Sequence, residues 1–140
     1  MIPNDGMLTI RSYHEGDAVS VGILIADTYS KFNLSEFTLK QRDAMLGPFL
    51  YARSTESSHR ESIAKAIRAP TVLVAEMDCQ IVGVLRGGRT DQLGRTVLQS
   101  LFVSGSHHRQ GIGRKLIEHF EQEHISRGVT VFKLLATLQA

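Results

Sequence analysis

Residues 97–117 combine an apolar run, a glycine-bearing polar loop and the start of an amphipathic helix. The run from Val97 to Val103 predicts a strand, the loop extends to Gly111, and the helix begins directly after it. The first N–H groups of a helix have no partner within it, and the helix dipole adds about half a positive charge at that end. Because Gly111 and Gly113 lack Cβ, an anion can come close to these amides. The stretch therefore predicts a site for a phosphorylated ligand, the alternative being an ordinary tight turn before a helix.

Two common phosphate-binding loops do not fit this stretch. A P-loop requires G-x-x-x-x-G-K-[ST], but Gly111 is followed by Ile112, Gly113 and Arg114. A dinucleotide-binding fingerprint requires a third glycine three residues after Gly113, where Leu116 stands, and it opens the first βαβ unit rather than lying late in the chain.

The stretch resembles the acetyl-CoA loop of the GNAT N-acetyltransferase superfamily, which reads Arg/Gln-x-x-Gly-x-Gly/Ala after a strand that ends in a Leu-x-Val-like triplet. Here the loop runs from His108 to Gly113, and the triplet is Leu101-Phe102-Val103. His108 stands where the family has Arg or Gln. That difference has little effect on phosphate binding if the main-chain amides provide most of the contacts.

The resemblance implies acetyl-CoA as the co-substrate and no metal. The pyrophosphate would lie on the amides from about Arg109 to Arg114, and the pantetheine arm would pair with the main chain of Leu101 and Val103. An N–H near Val103 would polarise the thioester carbonyl. The residues expected to bind the cofactor are Leu101, Phe102, Val103, His108, Arg109, Gln110, Gly111, Ile112, Gly113 and Arg114.

The reaction implied by the resemblance is direct transfer of an acetyl group to an amine of a small molecule or peptide. Many family members place a Glu on the strand before the loop, but residues 96–103 contain no acid, which leaves Gln99 and Ser100 as weak catalytic candidates. A Tyr often protonates the departing thiolate in the family, but no Tyr follows Tyr51. We hypothesise that deprotonation runs through ordered water, or that the acceptor is a weak base such as an α-amine of pKa about 8 rather than an alkyl amine of pKa about 10.4.

Length and composition favour one cytoplasmic domain spanning residues 1–140, with 42% apolar residues. A net charge of +2 without a dense basic run argues against nucleic acid as a partner. The single cysteine, Cys79, cannot form an internal disulfide, which fits a reducing compartment. No apolar run approaches the ~20 residues that span a bilayer, so no membrane association is expected.

Hydrophobic periodicity predicts the element order β-α-α-β-β-β-α-β from about residue 8 onwards. This order is that of the GNAT fold: an α/β fold (an α+β mixed sheet) with a mostly antiparallel sheet and one parallel strand–helix–strand crossover. Strands are predicted at 8–13, 71–76, 81–85, 97–103 and 129–135, and helices after Glu15-Gly16-Asp17, at 57–67 and at 112–127, with 32–48 ambiguous. Buried helix positions are predicted at Val21, Leu24, Ile25, Tyr29, Ile63, Ala64, Ile67, Ile112, Leu116, Ile117 and Phe120.

Turn and boundary residues complete this prediction. Asp78-Cys79 is expected to form a hairpin turn, and Gly87-Gly88 to begin a polar loop. Family members usually continue with a further helix and strands beyond this point. We therefore expect the domain to be cut short at its C-terminus, since residues 134–138 would otherwise leave an apolar strand edge unpaired.

Other reactive side chains have simpler interpretations. His107 and His108 are expected to be solvated loop residues, although they flank the predicted phosphate site. His119 and Glu123 have metal-ligand spacing, but no second cluster supports a metal. The remaining candidates are Cys79, expected to be a plain turn residue, and Glu36 and Asp43, which could attract an amine because the family's substrate wall often lies in this region.

Three hypotheses follow from the sequence. The first is an acetyl-CoA-dependent N-acetyltransferase with an undefined amine acceptor. The second is a non-catalytic acyl-CoA-binding module that keeps the phosphate site but lacks an acid and a base. The third is a structural α/β domain without a ligand. Homodimer formation is left open by all three.

Overall fold

A computed structural model describes residues 7–29, 38–107 and 110–139 of the chain. The strands are β1 (Leu8–Ser12), β2 (Thr71–Met77), β3 (Gln80–Thr90), β4 (Thr96–Val103) and β5 (Phe132–Gln139). The helices are α1 (Ala18–Thr28), α2 (Leu39–Leu46), α3 (Ser57–Ile67) and α4 (Ile112–Ile125). Within these described ranges, every helix is too short or too polar to cross a membrane.

The five strands form one sheet in the order β1-β2-β3-β4-β5. The first four pair antiparallel, and β4 pairs with β5 in parallel after the chain has passed through α4. This arrangement confirms the predicted mixed sheet with a single parallel crossover. The region left ambiguous contains α2, which begins at Thr38 with a capping box: Gln41 N donates to Thr38 Oγ1 (3.2 Å) and Thr38 N donates to Gln41 Oε1 (2.9 Å).

Helices cover both faces of the sheet, and the sheet separates the core into two clusters. Helices α1 and α3 cover one face, where Val84 and Phe102 contribute from the strands. Helix α4 covers the other face, where Leu85 and Leu101 contribute. Alternate residues of a strand point to opposite faces, so the middle of β3 and nearly all of β4 are buried on both faces. The predicted helix positions that are fully or nearly fully buried are Val21, Leu24, Ile25, Ile63, Ile67, Ile112, Leu116 and Phe120, while Tyr29, Ala64 and Ile117 are half-buried.

Several predicted boundaries were wrong where a neighbouring strand decides the outcome. Gly87 does not begin a loop, because β3 continues to Thr90. A Cβ on Gly87 would lie 2.5 Å from the carbonyl oxygen of Val97, so glycine here permits close approach of β3 and β4. The last strand begins at Phe132 rather than residue 129 and extends to Gln139.

The hairpin turn between β2 and β3 is confirmed. Asp78 and Cys79 both adopt positive φ angles, 53° and 63°, as a two-residue type I′ turn requires. Cys79 is exposed at this turn.

Asp17 occupies the N-cap position of α1, but its side chain makes no capping hydrogen bond there and instead joins β1 to the start of that helix. Its carboxylate accepts hydrogen bonds from both terminal nitrogens of Arg11 (2.8 and 2.9 Å) and from the N–H of His14 (3.0 Å). The Arg11 guanidinium holds the pKa of Asp17 below its ordinary value, against the opposing effect of burial.

Candidate functional site

The predicted phosphate loop lies between the end of β4 and the start of α4. Ser104 N donates to the carbonyl of Val82 (2.8 Å), which fixes the exit from β4, and a 3₁₀ turn at Gly105–His107 follows. Gly111 is the N-cap of α4 and adopts a left-handed conformation with φ of 77°. Glycine carries no side-chain acceptor, so the N-cap residue itself provides no side-chain cap, and the first N–H groups of the helix point towards its N-terminal end, which is the end at the loop. The described part of the loop therefore leads into a helix N-terminus that starts at a left-handed glycine.

The N-terminus of α4 is held against the sheet by close packing. Ile112 and Leu116 are buried beneath it, and both lie near Gly83 of β3. A Cβ at Gly83 would lie 3.0 Å from Leu116 Cδ1 and 3.2 Å from Ile112 Cγ2. Gly83 thus lets the helix approach the strand and fixes the amides of the first turn relative to β4. The sequence signal for this role was a glycine inside an apolar strand.

Charged side chains make a small contribution to the described part of the loop. The Arg114 side chain is 83% exposed and donates to Glu118 Oε1 at 3.0 Å, so it lies along the helix surface. His107 Nδ1 lies 3.0 Å from Ser106 Oγ. Gln110 is exposed, whereas His108 and Arg109 lie outside the described residues.

The strand edge predicted to receive the pantetheine arm is occupied in this structure. Leu101, Phe102 and Val103 are buried and pair with β3 on one side. On the other side Leu101 lies opposite Leu138, and Phe102 lies opposite Gln139. Main-chain pairing of a ligand with Leu101 on that side would require the end of β5 to separate from β4.

The weak catalytic candidates lie at an irregularity in β4. Arg86 lies opposite Ser100 and Gly87 lies opposite Leu98, so Gln99 is the extra residue between them. Gln99 is half-buried and Ser100 is buried. The Ser100 hydroxyl accepts a hydrogen bond from Arg86 Nε at 2.9 Å, which makes Ser100 the partner of an arginine.

Arg86 was not singled out from the sequence, although an arginine in an apolar strand was the available signal. It is half-buried on the face covered by α1 and α3, and its Nη1 also donates to the carbonyl of Ala66 near the end of α3. Burial lowers the pKa of the Arg86 guanidinium, and the nearby Tyr29 partly opposes that effect. The Tyr29 ring packs against Phe102 of β4 with ring centroids 5.4 Å apart. The face of the sheet covered by α1 and α3 therefore carries Arg86, Ser100 and Tyr29.

The remaining candidates lie apart from this site. Glu123 binds Arg127 (2.9 Å) rather than acting with His119. No group of three His, Cys, Asp or Glu side chains within the described ranges is placed to hold a metal. Asp43 is exposed on α2, and Glu36 lies outside the described residues.

Comparison with known proteins identifies a family and a fold. The model of the acetyltransferase (GNAT) family matches residues 38–140. No match is found among curated protein sequences. Solved structures that share the fold include the PaiA N-acetyltransferase from Thermoplasma acidophilum in complex with coenzyme A, at 14% identity and a TM-score of 0.69 over 92% of this chain and 79% of that one.

Two further structures have similar scores. A GNAT family acetyltransferase from Brucella melitensis in complex with acetyl-CoA has 20% identity and a TM-score of 0.64 over 94% of this chain and 77% of that one. The aminoglycoside acetyltransferase meta-AAC0020 from an uncultured soil metagenomic sample, in complex with trehalose, has 23% identity and a TM-score of 0.61 over 96% and 80%.

Proposed function

The chain belongs to the acetyltransferase (GNAT) family, and from that premise we propose that it transfers an acetyl group from acetyl-CoA to an amine of a small molecule or peptide. The observation that carries the proposal is the left-handed Gly111 at the start of α4, between the end of β4 and a buried first helical turn. This is the geometry that presents main-chain N–H groups to a phosphate.

The cofactor would be held mainly by main-chain groups. The pyrophosphate would accept hydrogen bonds from the amides of the loop and of the first turn of α4. The pantetheine arm would follow β4 back from Val103, with the end of β5 moving away from Leu101 to admit it. The residues proposed to bind acetyl-CoA are Leu101, Phe102, Val103, His108, Arg109, Gln110, Gly111, Ile112, Gly113 and Arg114.

The chemistry would rest on positioning. The amine nitrogen attacks the thioester carbonyl, a C–N bond forms and the C–S bond breaks, and the thiolate leaves and takes up a proton. Holding the two reactants together can supply roughly 7–11 kcal/mol of the barrier. A thiol of pKa about 8.5 is a tolerable leaving group without a general acid. Because β4 carries no carboxylate, the amine proton would leave through water, and acceptors of low pKa would react fastest at neutral pH.

The test is a thermal shift followed by an activity measurement. A ligand at 100 times its Kd adds about 2.7 kcal/mol to the unfolding free energy. For a chain of 140 residues the entropy of unfolding is about 0.3 kcal/mol/K, so acetyl-CoA should raise Tm by about 9 °C. Release of free thiol with a panel of amines would then show transfer. No shift with acetyl-CoA and no thiol release would refute the proposal.

A second function is favoured by two observations. Residues 96–103 contain no acid, and the end of β5 lies against Leu101 and Phe102. Both are compatible with a non-catalytic acyl-CoA-binding module. That function predicts the same thermal shift without thiol release for any amine. A cytoplasmic location, consistent with Cys79 as the single cysteine, is part of either proposal.

A further inference from the structure

Among the described residues, Arg86 lacks the carboxylate partner that several other arginines of this protein have. Arg11, Arg53 and Arg95 each bind a carboxylate oxygen at 2.8 Å. The two partners found for Arg86 are both neutral: the Ser100 hydroxyl and the Ala66 carbonyl. Within residues 7–29, 38–107 and 110–139, no carboxylate forms an ion pair with Arg86.

A half-buried guanidinium without a counter-charge is unfavourable, because it has lost part of its hydration. The Ala66 carbonyl lies in the last turn of α3 and offers the partial negative charge of a helix C-terminus, which offsets only part of that cost. Guanidinium has five N–H donors. The bonds to Ser100 and Ala66 use Nε and Nη1, so the Nη1 and Nη2 edge can still bind both oxygens of a carboxylate.

Arg86 lies beside the part of β4 along which the pantetheine arm is proposed to run. It lies directly opposite Ser100 on β4, one residue from Leu101, along which the pantetheine arm is proposed to run. Leu101 faces the cluster beneath α4, whereas Arg86 lies on the face covered by α1 and α3. A cofactor held at the N-terminus of α4 and an acceptor bound beside Arg86 would therefore meet at β4 from opposite sides.

We propose that Arg86 selects the acceptor, and that the acceptor is a small amine that also carries a carboxylate. This inference rests on the proposed function and names the substrate class of the same site. The guanidinium binds the carboxylate, and the amine of the same molecule points to the thioester on β4. An acceptor with several ammonium groups and no anionic group is repelled by Arg86 and is a poor substrate.

The test compares acceptors with and without a carboxylate. α-Amino acids are paired with their carboxamides, and aminobenzoates with aniline, and free thiol released from acetyl-CoA is measured. The parent protein should have kcat/KM about 10–100-fold higher for the carboxylate member, as expected for a charge-assisted bidentate contact. In Arg86→Gln this ratio should fall to near one, mainly through KM, and Arg86→Lys should retain part of it.

Two controls separate selection from folding. Arg89→Gln changes an exposed arginine of the same strand and should leave the ratio unchanged. The thermal shift with acetyl-CoA should be the same in the parent protein and in Arg86→Gln, which shows that the cofactor site is intact. If Arg86→Gln does not fold, Arg86→Lys carries the comparison.

The outcomes distinguish the two proposals. If acetyl-CoA gives no shift and no amine releases thiol, the proposed function fails and this inference fails with it. If thiol is released equally from both members of each pair, only the role of Arg86 is overturned. A preference for carboxylates that appears only after Glu36→Gln would also overturn it, because Glu36 would then be the counter-charge.

Discussion

Replacing Gly111 with alanine isolates the contribution of the left-handed turn to coenzyme binding. Gly111 has φ of 77°, and no heavy atom lies within 4 Å of the position that a Cβ would take. The substitution therefore costs backbone strain and no steric clash. Strain of this kind is about 1–2 kcal/mol for a residue with a Cβ. With an unfolding entropy of about 0.3 kcal/mol/K, Tm should fall by about 3–7 °C.

Gly94 provides a matched control. It also has φ of 77° with no heavy atom within 4 Å of a Cβ, but it lies in the turn between β3 and β4. Gly94→Ala should therefore lower Tm by a similar amount. The two variants should differ in binding, because in Gly111→Ala a methyl group lies beside the amides that a phosphate would approach. A cost of 1–2 kcal/mol corresponds to a Kd for coenzyme A about 5–30-fold higher.

Calorimetric titration with coenzyme A and with pantetheine completes the assay. Pantetheine lacks the diphosphate, so its affinity should be insensitive to the residue at position 111. If Gly111→Ala and Gly94→Ala bound coenzyme A equally well, the main-chain amides beside Gly111 would not hold the diphosphate, and the reasoning from the helix N-terminus would be refuted.

Three further predictions concern stability. Gly87→Ala should lower Tm by about 3–10 °C, because its methyl group meets the carbonyl oxygen of Val97 at 2.5 Å and overpacking of this kind costs about 1–3 kcal/mol; an unchanged melting curve would contradict the close approach of β3 and β4. Burial lowers the pKa of His124 below its ordinary 6.5. As the pH falls, the unfolded state therefore takes up a proton before the folded state does, and the unfolding free energy should decline below about pH 6.5. Urea titrations at pH 7.5 and 5.5 measure that decline, which His124→Gln should reduce. Asp17→Asn should cost about 1.5–3 kcal/mol at pH 7 through its bonds to Arg11. Because the pKa of Asp17 is depressed in the folded state, the difference in unfolding free energy should persist at pH values above 3.8, the ordinary pKa of this carboxyl, and disappear in stronger acid. A difference that did not depend on pH would show that the charge of Asp17 does not contribute to stability.

The strand–loop–helix unit at residues 97–117 was predictable because its determinants are neighbours in the chain. Apolar runs, turn glycines and helix periodicity act over a few residues, so β4 and α4 begin within one residue of their expected positions. The same holds for α3, where Ile63 and Ile67 form the buried stripe. Helix α2 was missed, although Thr38 and Gln41 form a recognisable capping box.

Contacts between distant strands could not be predicted in this way. The sequence predicts that Gly87 begins a loop, and only its packing against Val97 makes it a strand residue. The alignment of β5 with β4, which places Leu138 opposite Leu101, depends on pairing across the crossover. Pairing of this kind is determined by the whole sheet rather than by local propensity.

The sequence by itself determined the family resemblance, the order of most elements and the loop that presents main-chain amides, because these depend on local periodicity and on glycine conformation. Only the tertiary structure decided which side chains meet on the face covered by α1 and α3. Arg86, Ser100 and Ala66 lie in three separate elements, β3, β4 and α3. Their hydrogen bonds form only once β3 and β4 are aligned with Arg86 opposite Ser100 and α3 has packed on the sheet.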